Sequence, residues 1–392
     1  MNAKKSKKPL FSALGMMSGT SMDGIDVALV ETDGEHIVNR GRSTSYAYSP
    51  LFRKSLAAGL ETAASLTSRD ELPQSLQTLE QELTELHVEA VEKFLTDTGM
   101  DRGSIDLIGF HGQTVLHRPD DALTVQLGDG QALADKIAIP VIYDMRSHDM
   151  TKGGQGAPLV PAYHKALAAN LPDELSGRLP VAFVNIGGIG NISWIGADGT
   201  LLAFDTGPGN ALIDQWVTAN AGIPFDQGGA IASEGFVDQT IATRYLKSDY
   251  FEQAGPKSLD RFDFKPLEPG VLTLEDGART LAYVTAASII KACDHLPEPP
   301  ALWIISGGGA HNLTILQDMR DLLADSDAQA DRNATVVSAQ EAGFDGDAME
   351  AEAWAYLAVR CFRGLTITWP GTTGVSEPSS GGVLARPTKM KV

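Results

Sequence analysis

Leu14-Gly15-Met16-Met17-Ser18-Gly19-Thr20-Ser21-Met22-Asp23-Gly24 runs from a short apolar stretch into a glycine turn, and Ile25-Asp26-Val27-Ala28-Leu29-Val30 follows as a strand. The pattern recurs twice. Val181 to Val184 leads into Asn185-Ile186-Gly187-Gly188-Ile189-Gly190-Asn191, and Leu302 to Ile305 leads into Ser306-Gly307-Gly308-Gly309-Ala310-His311-Asn312. Glycine lets peptide N–H groups close in on an anion and form a concave nest for phosphate oxygens. Three such turns on strand-like lead-ins predict one ligand held from several sides.

Outward from these turns, strands alternate with helices, which indicates an α/β fold. Asp33-Gly34 marks a turn, and Thr44 to Tyr48 alternates as a second strand of a meander. Leu76, Leu79, Leu83, Leu86, Ala90 and Phe94 recur every three or four residues, predicting an amphipathic helix that ends near Gly99. Leu107 to Phe110 predicts a short buried strand delivering His111-Gly112-Gln113-Thr114. Thr124 to Leu127 predicts another, before Gly128-Asp129-Gly130 opens a helix, and Ile137 to Tyr143 a third. Lys152-Gly153-Gly154-Gln155-Gly156 reads as a boundary or hinge loop. A second α/β unit starts near Pro180, with strands at Val181 to Val184, Ser193 to Ile195 and Leu201 to Phe204. Helices are expected at about Leu212 to Ala219, Ala278 to Ala292 and Ala348 to Phe362. The two halves share a theme without a strict residue repeat, so a duplicated architecture is expected.

A chain of 392 residues predicts two domains, and 43% hydrophobic with 21% charged residues is ordinary globular composition. A net charge of −19 argues against non-specific binding to nucleic acid or anionic membrane. The two cysteines, Cys293 and Cys361, exclude a cysteine-based zinc site and a disulfide framework. Met1 to Lys8 is basic, but no signal-peptide core follows and no run reaches the length of a membrane span, so a cytoplasmic location is expected.

In the first turn Ser18, Thr20 and Ser21 offer hydroxyls, and Asp23 and Asp26 offer carboxylates suited to Mg²⁺ through water. No Gly-Lys-Ser/Thr follows, so a Walker loop is excluded. Asp205 ends an apolar strand before Thr206-Gly207-Pro208-Gly209-Asn210. It reads either as a turn cap or as a general base beside exposed N–H groups. Arg146 reads as a bidentate partner for a substrate carboxylate or as an ion pair with Asp144 or Asp149. Lys257 and Arg261 are the other cations available to an anion. Glu350 and Glu352 sit where acids complement a helix dipole.

The ordered set of motifs resembles the anhydro-N-acetylmuramic acid kinase family, sugar kinases of the actin/hexokinase/Hsp70 ATPase superfamily. The matching stretches are residues 15–26, 109–114, 126–129, 153–159, 185–191, 204–210, 256–261 and 306–312, with Glu350-Ala351, Trp354-Ala355 and Thr372-Thr373-Gly374. The resemblance runs from about residue 12 to 385. It implies two actin-like ATPase (ribonuclease H-like) domains with a cleft between them. Residues 10–150 plus about 372–392 would form the first, and 151–371 the second. Gly19, Thr20, Ser21, Met22, Asp23, Gly24, Ile25 and Asp26 would hold the ATP phosphates with Gly187, Gly188 and Asn191, and Gly307, Gly308 and Gly309 would form the adenosine turn. Asp205 would be the catalytic base, and Ser18, His111, Gln113, Arg146, Gly207, Asn210 and Glu350 would face the sugar.

The implied reaction opens 1,6-anhydro-N-acetylmuramic acid with water and phosphorylates O6 from ATP with Mg²⁺, in peptidoglycan recycling. A homodimer is implied as well. The superfamily's usual first-loop aspartate is Met17 here, which leaves Asp23 or Asp26 as the metal-associated acid. A nucleotide-gated binding module and a kinase of an ordinary sugar are the alternatives.

Overall fold

In the computed structural model, residues 9–19, 21–259, 263–325 and 334–388 are described. Thr20, Arg261 and the basic start Met1 to Lys8 lie outside them. The chain forms two compact units, Met1–Asn170 with Ala348–Val392, and Leu171–Asp347. Each unit carries its own sheet.

In the first unit the strands Phe11–Ser18, Gly24–Thr32 and Val38–Ala47 form an antiparallel meander. Leu107–Arg118 adds parallel to Phe11–Ser18, and Val141–Tyr143 adds parallel to Leu107–Arg118. Val383–Ala385, from the chain's tail, closes the edge antiparallel to Val141–Tyr143. One face carries Leu14, Met16, Ile108 and Phe110 into a core with Phe52, Leu56, Leu76, Leu79 and Leu83. These last five come from the helices Pro50–Ala63 and Gln74–Thr98, the second of which stops at left-handed Gly99. The other face lies under the helix Met349–Phe362. That helix comes so close that a β-carbon on Gly15 would collide with the Ala351 carbonyl, and one on Gly109 with the Trp354 carbonyl. These two glycines therefore serve helix-on-strand packing.

The second unit repeats the order. Val181–Ile186, Ile189–Ile195 and Leu201–Pro208 form an antiparallel meander, and Leu302–Ser306 and Thr335–Ser338 extend it in parallel beside Val181–Ile186. The helices Ala211–Ala221 and Leu274–Lys291 pack on it around Trp216, with Trp303 from the sheet. The duplication expected from the sequence thus appears as one strand order used twice. No described helix is long and apolar enough to cross a membrane.

The units divide at 170/171 and 347/348, not at 150/151 and 371/372. Met349–Phe362 lies on the first sheet, and in Pro161–Ala168 Tyr163 donates 2.7 Å to buried Glu352 of that helix. The loop 153–156 lies inside the first unit. Buried Asp149 pins it, accepting from Gly156 N (2.7 Å) and Thr373 Oγ1 (2.8 Å). Two other boundaries also differ. Ile137 ends the helix Gly130–Ile137, and strand begins only at Val141. Leu107–Arg118 continues as strand through His111 and Gln113, because Leu123–Leu127 pairs with its second half.

Candidate active site

In each unit the predicted residues gather at the C-terminal ends of parallel strands, where open α/β sheets present ligands. In the first unit Ser18 ends Phe11–Ser18 and is buried. Its hydroxyl donates to Gln113 Oε1 (2.6 Å) and lies 2.7 Å from the Tyr48 hydroxyl. Gln113 Nε2 in turn donates to the Gly19 carbonyl at 3.1 Å. These bonds set the path of the first turn, in which Met22 is left-handed with φ 56°. The turn presents Ser21 and Asp23 to solvent, while Ile25 enters the core and Gly24 packs under the Tyr46 carbonyl. Asp26 pairs with Met17 across the meander and accepts from the Ser45 hydroxyl.

Met17, on the face toward Met349–Phe362, accepts from Trp354 Nε1 at 3.2 Å. Met17, where the resemblance led us to look for an aspartate, is thus committed to an N–H···S contact.

Arg146 follows the strand Val141–Tyr143. Its Nε and one terminal nitrogen donate to His111 Nε2 (3.2 and 3.0 Å), and the other terminal nitrogen donates to the Gly156 carbonyl at 3.0 Å. Its carbon Cζ stands 5.3 Å over the Trp354 ring, which also lies 4.5 Å from the His111 ring. Burial, with the neighbouring guanidinium charge, holds the His111 pKa well below the usual range, so Nε2 is an acceptor at neutral pH. Burial also lowers Arg146 to about 10, opposed by Glu350. Desolvation raises the Glu350 pKa, Arg146 opposes it and Asp26 adds to it; Glu350 itself is exposed, so water tempers that push. Asp144 pairs with Arg69 (2.7 Å) and Asp149 is held by its loop, so neither takes Arg146 as an ion pair.

In the second unit the parallel pairing places Ser306 opposite Asn185, and so sets the second and third turns side by side. Gly307, with φ 76°, has no room for a β-carbon against Asn185, and Gly309 has none against Ile186. Asn210 Nδ2 donates to the Ile186 carbonyl (3.1 Å), and its backbone N–H donates to the Gly187 carbonyl (2.7 Å). Gly188 is exposed, and a β-carbon there would meet only Ala211.

The register continues across the sheet, Asn185 opposite Asn191 and Asn191 opposite Asp205. Asp205 therefore shares a polar row with both turns. The strand it was expected to end, Leu201–Pro208, runs three residues past it. Its carboxylate accepts from Leu259 N at 2.8 Å, and burial pushes its pKa up to about 6, with that bond opposing. Gly207 is buried, and its missing side chain makes room for Ser288.

The structure thus brings Ser18, Gly19, Asp26, His111, Gln113, Arg146 and Glu350 together in one unit. It brings Gly187, Gly188, Asn191, Asp205, Asn210 and Gly307 to Gly309 together in the other. Lys257 is turned into the protein rather than presented at the surface. It is 8% exposed, its ammonium donates to the Tyr250 carbonyl at 3.0 Å, and it stands 4.5 Å over the Tyr250 ring. Thr20 and Arg261 lie outside the described residues. Sequence reasoning singled out Trp354 as a matching position but gave it no role, although it follows Glu350 by one helical turn; it missed Tyr250, for which there is no local signal. Among the described residues no group of three or more His, Cys, Asp or Glu side chains is arranged to hold a metal ion.

The sequence profile of a family described as anhydro-N-acetylmuramic acid kinase matches residues 11–387. A protein of that name from Brucella canis is 54% identical over 376 residues, which are 96% of this chain and 98% of that one. One from Agrobacterium fabrum is 52% identical over 375 residues, 96% of this chain and 98% of its own. Among solved structures, a ROK family glucokinase from Streptomyces griseus in complex with glucose and AMPPNP aligns with a TM-score of 0.40 at 14% identity. It covers 89% of this chain and 99% of its own, a likeness too slight to build on. Matched over almost its whole length and more than half identical to named members, the chain belongs to the anhydro-N-acetylmuramic acid kinase family and is an enzyme, a phosphotransferase.

Proposed function

We propose that the enzyme opens the internal ether of 1,6-anhydro-N-acetylmuramic acid with water and phosphorylates O6 from ATP, giving N-acetylmuramic acid 6-phosphate and ADP. The observation that carries this is Asp205, a carboxylate with a pKa near 6 in line with two glycine turns. Such a group is a base at neutral pH and close enough to it to accept a proton in a transition state. It takes the proton of a water whose oxygen bonds to the anomeric carbon. The bond from that carbon to O6 breaks, O6 bonds to the γ-phosphorus, and the bond from phosphorus to the β–γ bridging oxygen breaks to release ADP. One carboxylate then suffices where inverting glycosidases use two, since phosphorus captures the departing O6.

Gly19 and Ser21 of the first unit, and Gly187 and Gly188 of the second, would hold phosphates, and Gly307 to Gly309 the adenosine. Arg146 keeps two of a guanidinium's five N–H groups for the lactyl carboxylate, after its three bonds to His111 and Gly156. Asp23 or Asp26 would hold Mg²⁺ through water. A lone carboxylate fits an ion that keeps most of its ligands as water and phosphate oxygens. When bound, that ion neutralises charge on the phosphates. The same reading carries peptidoglycan recycling in the cytoplasm and a homodimer, the latter open to sedimentation.

A coupled assay of ADP release with the anhydro sugar, N-acetylmuramic acid and N-acetylglucosamine tests the proposal. Turnover is expected with the anhydro sugar. Asp205→Asn is expected to lose ring opening and phosphorylation together, by about 10²–10⁴-fold. Turnover of N-acetylglucosamine alone, or an active Asp205→Asn enzyme, would overturn it.

A further inference from the structure

The stretch from Tyr250 to Leu259 meets Asp205 at three points. Leu259 N donates to the carboxylate at 2.8 Å. The Asp205 N–H donates to the Lys257 carbonyl at 3.0 Å. The Tyr250 hydroxyl donates to the Asp205 carbonyl at 2.5 Å. Side chain, N–H and C=O of one residue are thus all bound by ten residues of loop. What holds the loop is Lys257. Its ammonium is bonded to the Tyr250 carbonyl at 3.0 Å and stands over two rings, Tyr250 at 4.5 Å and Phe204 at 5.7 Å. Phe204 precedes Asp205 on the strand, so the cation bridges the loop and the strand on either side of the carboxylate.

Burying an ammonium costs free energy unless its donors are satisfied, and desolvation lowers this one's pKa. A merely structural link between loop and strand could be made by an apolar side chain without that cost.

We infer that Lys257 is a positioning residue for Asp205, fixing through Tyr250 the loop whose Leu259 N–H aims the carboxylate. The inference rests on Asp205 being the base. Among the described residues Tyr250 is the titratable group that feels the Asp205 charge; burial, then Asp205 and Asp263, hold its phenol protonated far above neutrality, while Glu252 and Lys291 are the charges acting on the Lys257 ammonium.

The test is the pH profile of kcat/KM for the anhydro sugar in Lys257→Met, which keeps the length and apolar stem, and in Tyr250→Phe, which removes only the hydroxyl. Releasing the carboxylate from Leu259 N removes the bond that opposes its raised pKa. The acid limb, expected near pH 6 in the natural enzyme, then moves up by about half a pH unit. In Lys257→Met kcat falls about 10–100-fold, the scale of a misplaced reacting group. In Tyr250→Phe the same shift appears with a several-fold loss, and KM for ATP stays within about two-fold in both variants. An unmoved acid limb in either active variant overturns the inference, as does a rise in the KM of ATP or sugar alone, which would make Lys257 an anion ligand. If Lys257→Met does not fold, Tyr250→Phe decides. Activity in Asp205→Asn would instead take down the base assignment, so the two failures are separable.

Discussion

Arg146 and Lys257 carry the same charge, and the sequence offered both as holders of an anion. Arg146 is fixed by an imidazole nitrogen, a carbonyl and an indole face, and these partners occupy only part of its planar fork. The Lys257 ammonium is given over to a carbonyl and two ring faces. A fork with five donors can be oriented and still have hydrogen atoms to offer. An ammonium with one donor on a carbonyl has two left by the same count, but Lys257 is buried where Arg146 is only half-buried. The lesson is that a cation in a motif is an anion ligand only if its surroundings leave donors both spare and accessible.

Three measurements press on that contrast. The largest effect is expected from Arg146→Ala, which leaves Glu350 without its guanidinium. KM for the anhydro sugar should rise by about 10²-fold or more, on the scale of truncating a buried charge partner, while Arg146→Lys keeps the charge and recovers only part of the loss. Equal sugar KM in Arg146→Ala and the natural enzyme would erase the distinction between the two cations. A smaller effect is expected from Trp354→Phe. It keeps a ring under the guanidinium but weakens the cation–π contact and removes the N–H donated to Met17. About 1 kcal/mol, or roughly five-fold in sugar KM, is expected, with a parallel change in KM for ATP because Met17 leads into the first turn. A change confined to ATP would show that Trp354 does not support Arg146.

The smallest effect concerns stability. The folded Asp205 pKa is raised, so between the unfolded value near 4 and about 6 the native state binds more protons than the unfolded one, and stability falls as pH rises through that window. Asp205→Asn should therefore be more stable than the natural protein above pH 6, on the order of 1 kcal/mol given the carboxylate's remaining solvent contact, with the gain vanishing near pH 4. Thermal melts at pH 8 and pH 4 check it. A gain independent of pH would mean that the charge is not what the site strains against.

Local signals carried far. Apolar runs fixed the strands at Val181–Ile186 and Leu302–Ser306, helical spacing fixed Gln74–Thr98, and Asp205 stood out as an acid ending an apolar strand. What was not legible depends on partners distant in sequence. Gly15 reads as part of a phosphate turn, yet its bareness answers to Ala351. Met349–Phe362 has nothing in its own residues to say that it belongs with Phe11–Ser18, more than 330 positions earlier. His111 and Gln113 were expected just beyond a strand, and only the pairing with Leu123–Leu127 extends that strand through them. Lys257 looked free because its burial depends on Tyr250 and Phe204, which no local pattern ties to it.

The helix that crowds Gly15 and Gly109 also has a consequence for how the molecule is made. During synthesis, the strands Phe11–Ser18 and Leu107–Arg118 leave the ribosome long before the surface that covers them. The whole second unit, Leu171–Asp347, is made first and can gather its own core from contiguous chain. Until Met349–Phe362 arrives, one face of the N-terminal sheet is uncovered, and until Val383–Ala385 arrives so is its edge strand Val141–Tyr143. The unit begun earlier is thus the unit finished later.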